Sequence, residues 1–218
     1  MKRIWLALAV VVLGLAGCGQ TQQSTNHSSQ QSQSSEQQAT TSSTSTSADV
    51  ADAVKQFTGR NFNVLPRLKQ IPVTFVRHVD GDTSVFRLNG HQLKARYLLI
   101  DTPETVKANT PVMPYGMQAS NYTHNALNNA KQVTIMFDRG DYADKYDRIL
   151  VYVFVDGQLL QKQLVEKGLA RVAYVFAPST TYLQELNRAQ AQAKAKRLNI
   201  WSKDGYVTNR GFNTSLYR

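Results

Sequence analysis

The sequence predicts an α+β fold in which five strands close into a small barrel and three helices pack around it. Three observations lead there. Five short stretches rich in Val, Ile, Leu, Phe and Tyr, residues 71–78, 83–88, 93–100, 132–137 and 148–155, read as strands. Asn89-Gly90 separates the second from the third, and both residues tolerate the positive φ of a tight hairpin turn. Within residues 69–218 helical spacing is confined to three segments, too few to alternate with strands as a parallel sheet requires.

The elements follow in chain order. Residues 1–17 carry Lys2 and Arg3 ahead of an apolar run from Ile4 to Leu15, the pattern of a secretory signal and too short to span a bilayer. Leu15-Ala16-Gly17-Cys18 resembles the lipobox of bacterial lipoproteins, in which the cysteine is lipidated. Cys18 is the single cysteine of the chain, so an intramolecular disulfide is excluded. Residues 18–48 are nearly all Ser, Thr and Gln, a composition that buries no core and reads as a disordered tether. Residues 49–68 form a lead-in, with a short helix expected from Asp49, as its cap, to Gly59. Residues 69–218 are long enough for one ordinary core and are expected to be the folded domain.

Within that domain the helical segments are 116–130, 159–167 and 182–197. Ala119, Tyr122, Ala126, Leu127 and Ala130 keep helical spacing in the first, Gly168 stops the second, and Ser179 or Thr180 is positioned to cap the third.

The chemistry concentrates between Asp80 and Thr105. Folding the Asn89-Gly90 hairpin back on itself brings Asp80-Gly81-Asp82 towards Asp101-Thr102-Pro103-Glu104, with Arg96 on the returning strand. Oxygen-only carboxylates gathered in this way suit a hard cation such as Ca²⁺ or Mg²⁺. An arginine beside them suits phosphate, whose oxygens its planar fork matches. Arg96 and Asp101 are separated by an odd number of residues, so a bulge or strand end must turn one of them. A second charged run, Asp138 to Arg148, places Arg148 at the opening of the fifth strand. The net charge of +10 favours a polyanionic partner, whether nucleic acid or an anionic cell envelope.

The ordered segments Asp80-Gly81-Asp82-Thr83, Arg96 through Thr105, Tyr115-Gly116, Asp144-Lys145-Tyr146, Arg148, Gly168-Leu169-Ala170, Val172-Ala173-Tyr174-Val175 and Leu198-Asn199-Ile200-Trp201 resemble the staphylococcal nuclease (thermonuclease) family. The resemblance implies an OB-fold barrel and Ca²⁺-dependent hydrolysis of DNA and RNA that leaves 3′-phosphate ends. It implies that Asp82, Asp101 and the carbonyl of Thr102 hold Ca²⁺, with Asp80 behind them. Glu104 then orients or deprotonates the attacking water, and Arg96 and Arg148 grip the scissile phosphate. Lys145, Tyr146 and Tyr174 hold the nucleotide's terminal phosphate and base.

The chain departs from the family where Asp147 replaces a usual glycine, where Phe176 replaces a usual tyrosine, and in the loop 106–114. Asp147 is expected to lean away from Arg148 by strand alternation. The expected product is a monomeric nuclease without an obligate protein partner, lipid-anchored through Cys18 at the outer face of the bacterial cytoplasmic membrane or in the cell envelope. The competing reading is a non-catalytic barrel that captures nucleic acid by stacking and a basic groove; the acidic set beside the phosphate site argues against it.

Overall fold

The computed structural model describes residues 47–217 apart from 107, 109 and 110. The signal, Cys18 and most of the tether lie outside the described residues. Among those described, no helix is long and apolar enough to cross a membrane.

All five expected strands form. Residues 71–78 become β1 (Ile71–Pro72) and β2 (Thr74–His78), interrupted at Val73. β3 is Thr83–Leu88 and β4 is His91–Tyr97. The turn between them is built as its sequence requires, with Asn89 at φ 45° and Gly90 at φ 82°. A two-residue β5 (Ile100–Asp101) follows, then helix α2 (Gly116–Asn128), β6 (Val133–Phe137) and β7 (Ile149–Val155). Helices α3 (Leu160–Glu166) and α4 (Leu183–Ala195) are the other two expected from sequence, while the two-residue strands β8 (Gln158–Leu159) and β9 (Arg171–Val172) were not expected. A hairpin of β10 (Val207–Thr208) and β11 (Gly211–Phe212) comes last.

The main sheet runs β1-β6-β7-β4-β3-β2, antiparallel except for the parallel β4–β7 pair. The ring expected from sequence is not closed, because β1 and β2 end the path without pairing to each other. They are nevertheless one stretch of chain that pairs with β6 at its start and β3 at its end. The gap on β7 between its partners β4 and β8 is filled by a side chain. Buried Gln161 of α3 accepts from the Val153 amide at 3.1 Å and donates to the Val151 carbonyl at 3.0 Å. Those backbone groups would otherwise be buried without partners, which is costly.

Helix 47–56 (α1) begins before Asp49, so that residue lies inside the helix and does not cap it. Val50, Phe57 and Leu65 of the lead-in join the same buried cluster as Phe86, Phe137 and Val151 of the barrel. Asn89 fastens this lead-in to the hairpin turn by donating to the carbonyls of Phe57 (2.8 Å) and Lys55 (3.3 Å). At α4 the N-cap is Tyr182 without a side-chain cap bond, in place of the expected Ser179 or Thr180. Ser179 donates nothing there and instead accepts from the Gly140 amide at 3.2 Å. Gly168 ends α3 as expected, at φ 64°.

Candidate functional site: carboxylates and arginines at one end of the sheet

The site begins where β4 stops. Its sequence reads as strand up to Ile100, but the strand ends at Tyr97 and Leu99 adopts φ 66°. This left-handed residue reverses the chain between Arg96 and Asp101, which is how two positions of opposite strand parity reach one place. Arg96 secures the reversal with two of its five donors, Nη1 to the Tyr97 carbonyl (2.8 Å) and Nη2 to the Ile100 carbonyl (2.9 Å). Its Nη2 then lies 3.3 Å from Asp82 Oδ2 and 3.8 Å from Asp101 Oδ1.

Helix α2 holds both carboxylate loops in place. Thr123 donates to the Gly81 carbonyl at 2.7 Å, and a Cβ on Gly81 would stand 2.8 Å from Thr102 Oγ1 and 2.9 Å from the Ala119 Cβ. Only glycine allows this approach, which presses the Asp80–Asp82 loop between the helix and Thr102. Asp82, 5% exposed, accepts from the Thr102 amide (2.9 Å) and hydroxyl (3.1 Å) and from the Thr83 hydroxyl (3.1 Å). Asp80 accepts from the Asp82 amide at 3.0 Å. Glu104 accepts from the amides of Thr105 (2.9 Å) and Val106 (2.8 Å), which turns its carboxylate back over its own loop.

Charge is out of balance here. Burial, followed by the nearby charge of Asp82, pushes the Asp80 carboxyl up to about 7. Asp101 is raised for the same two reasons in the same order, and Arg171 and Arg96 only partly offset them. Arg171 was not anticipated. It donates from Nε to Asp101 Oδ2 at 2.9 Å across the β5–β9 pairing, 70 residues along the chain. The C-terminal hairpin backs it, with Phe212 at 5.7 Å from the guanidinium and the Thr208 carbonyl at 3.4 Å. No spacing pattern connects a lone arginine on a two-residue strand to that carboxylate.

The second cluster gathers beside the first because β4 and β7 pair in parallel, Arg96 opposite Leu150. Arg148, just ahead of β7, is held by Asp144, with Nε at 2.8 Å and Nη2 at 2.6 Å from Oδ2. Asp147 is not part of a strand, so alternation does not govern it. It sits exposed in the turn at φ 55°, a conformation that explains the glycine usual in the family. Tyr146 and Tyr174 are 67% and 57% exposed, with the Arg148 guanidinium 5.5 Å from the first ring and that of Arg96 5.3 Å from the second. Lys145 Nζ lies 5.1 Å from the Tyr146 ring, and Phe176 is exposed. Two solvent-facing aromatic rings, each beside an arginine, form a surface on which bases can stack next to a gripped phosphate.

Among the described residues no three His, Cys, Asp or Glu side chains form a group that holds a metal ion by themselves. The donors at hand are instead two carboxylates, Asp82 and Asp101, with backbone oxygen at Thr102, in a pocket with surplus negative charge. That chemistry fits a hard divalent cation that keeps several waters.

Residues 94–203 match the model of the staphylococcal nuclease homologue family. The chain is 42% identical over 215 residues to endonuclease YncB of Bacillus subtilis, covering 98% of both chains. It is 50% identical over 143 residues to the SPbeta prophage-derived endonuclease YokF of the same organism, covering 66% of this chain and 48% of that one. The thermonuclease of Staphylococcus hyicus is 40% identical over 127 residues, 58% of this chain and 73% of its own. With the matched region running from β4 through α4, across both arginine clusters, the chain belongs to the family of staphylococcal nuclease homologues.

Proposed function

We propose that this chain is a Ca²⁺-dependent nuclease that hydrolyses phosphodiester bonds of DNA and RNA, leaves 3′-phosphate ends, and is held outside the bacterial cytoplasmic membrane by lipid on Cys18. The observation that carries the enzymatic part is Arg96, fixed by two backbone carbonyls with its Nη2 beside both Asp82 and Asp101. A protein that only captured nucleic acid would gain nothing from buried carboxylates next to phosphate. The names of the relatives, endonuclease and thermonuclease, support the same reading.

The residues divide the work. Asp82, Asp101 and the Thr102 carbonyl would hold the ion, which would supply positive charge to polarise the phosphate and make water more acidic. Glu104 orients that water and accepts its proton. Arg96 and Arg148 present planar forks to the phosphoryl oxygens as these gain charge, and Arg148 also serves the departing 5′ oxygen. As water attacks phosphorus, the P–O5′ bond breaks, the 5′ oxygen takes a proton, and the phosphate stays on the 3′ side. Tyr146 and Tyr174 stack the flanking bases, and Lys145 pairs with a neighbouring phosphate. Preorganisation is the physical advantage, since the forks are already fixed by Asp144 and by backbone carbonyls before substrate arrives.

The test is cleavage of plasmid DNA with Ca²⁺ and with chelator, by the native chain and by Asp82→Ala. Cleavage only by the native chain with Ca²⁺ is expected; full activity in chelator removes the ion from the mechanism. For the anchor, growth with labelled fatty acid should label the native chain and not Cys18→Ser.

A further inference from the structure

We infer that the outer face of β2-β3-β4 is a track for the polynucleotide strand beyond the scissile phosphate, with Arg77, Arg87 and Lys94 as its phosphate contacts. The inference rests on the nuclease reading above and adds a binding surface to it.

The pairing register carries the argument. On β4 the residues Leu93, Ala95 and Tyr97 are buried in the core, so Gln92, Lys94 and Arg96 project to the other face. On β3 the core takes Phe86 and Leu88, which leaves Thr83, Val85 and Arg87 on that same outer face. Cross-strand partners then fall into three ranks. Thr83 and Arg96 form the first, at the carboxylate end of the sheet. Arg77, Val85 and Lys94 form the second, and Thr74, Arg87 and Gln92 the third. Successive ranks are two residues apart, or about 6.6 Å by strand rise. The guanidinium that grips the scissile phosphate is thus the first member of a row of cations.

Three further facts favour a polyanion on this face. Arg77, Arg87 and Lys94 are exposed, and among the described residues none has an ion pair or a side-chain hydrogen bond. The strands β2, β3 and β4 contain no Asp or Glu at all, so no internal partner competes for the cations. Val85 is only 4% exposed although it lies outside the core cluster. In the pairing register it stands directly between Arg77 and Lys94, whose long stems are the cross-strand neighbours able to cover it. Lys94 also precedes the Ala95–Ile149 pair by one residue, as Arg148 does, so it stands at the junction of the two arginine clusters.

Beyond the first rank, the track takes backbone and not bases, since it offers charge and no exposed aromatic ring. It therefore acts on long substrates and not on short ones. The test compares a triple variant, Arg77→Gln with Arg87→Gln and Lys94→Gln, with a control that loses the same charge elsewhere, Lys131→Gln with Arg188→Gln and Lys196→Gln. Binding of labelled polythymidylate is measured in chelator over a range of salt, and cleavage with Ca²⁺ is measured on polythymidylate and on a dinucleotide. The track variant should bind polythymidylate at least ten-fold more weakly, with a salt slope lower by about 2, at about 0.7 per lost phosphate contact. Its kcat/KM on polythymidylate should fall to match, while dinucleotide cleavage by the double variant Arg77→Gln with Arg87→Gln, which spares the residue beside the arginine clusters, stays within two-fold of native. The control should lose less than three-fold in binding. Equal losses in both triples would mean that net charge alone is felt, and an unchanged track variant would mean that nothing binds there; either overturns the inference. Failure of the native chain to cleave any substrate would instead overturn the nuclease reading itself.

Discussion

Two neighbourhoods of buried carboxylate in this protein behave in opposite ways. Asp138, 2% exposed, ends β6 and is surrounded by donors: the Arg139 amide (2.8 Å), the Thr181 hydroxyl (2.7 Å) and amide (3.0 Å), and the Tyr152 hydroxyl (2.8 Å). Burial pushes its carboxyl up, but these hydrogen bonds outweigh burial and hold it below the ordinary value. Asp80 and Asp101 are also largely buried, yet both are raised, by burial and then by Asp82. The first carboxylate finds enough donors within the protein; the second group does not. The supply of donors thus helps to separate a structural aspartate from a site awaiting positive charge.

The largest expected effect strikes the under-supplied neighbourhood. Arg96→Lys and Arg148→Lys keep a charge but lose the fork, and should lower single-turnover cleavage by about a hundred- to a thousand-fold, or about 3–4 kcal/mol. Native folding by circular dichroism should accompany that loss. If both variants cleave at native rates and differ only in binding, these arginines are ordinary phosphate clamps.

Asp138 should fail in the other currency. Asp138→Ala leaves the Tyr152 hydroxyl and the Thr181 amide without their partner and should cost about 3 kcal/mol in urea unfolding. The specific activity of the folded fraction should remain native. Normal stability together with lost cleavage would erase the contrast.

The two neighbourhoods should also oppose each other in pH. A lowered carboxyl contributes stability that is present above the ordinary carboxylate range and is lost as pH falls through its folded value, so Asp138 stabilises at neutral pH and fails in acid. A raised one runs the other way. Between the ordinary value and about 7, folded Asp80 holds a proton that the unfolded chain has released, so stability falls as pH rises through that window. Asp80→Asn should accordingly raise the urea midpoint at pH 8 without Ca²⁺ and leave it unchanged near pH 3. An unchanged midpoint at pH 8 would show that the carboxylates there are already balanced.

The smallest expected effect concerns the turn beside Arg148. Asp147→Gly relieves a left-handed residue and should stabilise by up to about 1 kcal/mol. Because Asp144, not Asp147, holds Arg148, cleavage should change by less than about three-fold.

What the sequence made legible divides along similar lines. The Asn89-Gly90 turn and the convergence of Asp82 with Asp101 were readable, because turn chemistry and hairpin geometry are local. That the strand must bulge or end between Arg96 and Asp101 was readable from their parity, but its place at Leu99 was not, since a leucine between Leu98 and Ile100 gives no sign of positive φ. The Arg96 side chain holds the reversal, through the two nearby carbonyls of Tyr97 and Ile100 that it gathers. Arg171 was hidden for a different reason: its partner is distant in sequence, and two-residue strands leave no periodicity to read. The open end of the sheet was equally hidden, because residues 71–78 read as one strand and nothing there shows that β1 and β2 end the sheet without pairing to each other.

The clasp between Asn89 and the end of α1 fixes where the molecule can be held. It sits at the tip of the β3–β4 hairpin, whereas the carboxylates lie at its root, about 20 Å away along the strands. A pull applied upstream of residue 47 enters the fold through α1, whose far end is clasped at this tip and not at the root. N-terminal immobilisation on a bead should therefore cost little turnover on short fragments. Long strands lying along the sheet would run towards the point of attachment, and crowding there should slow them first.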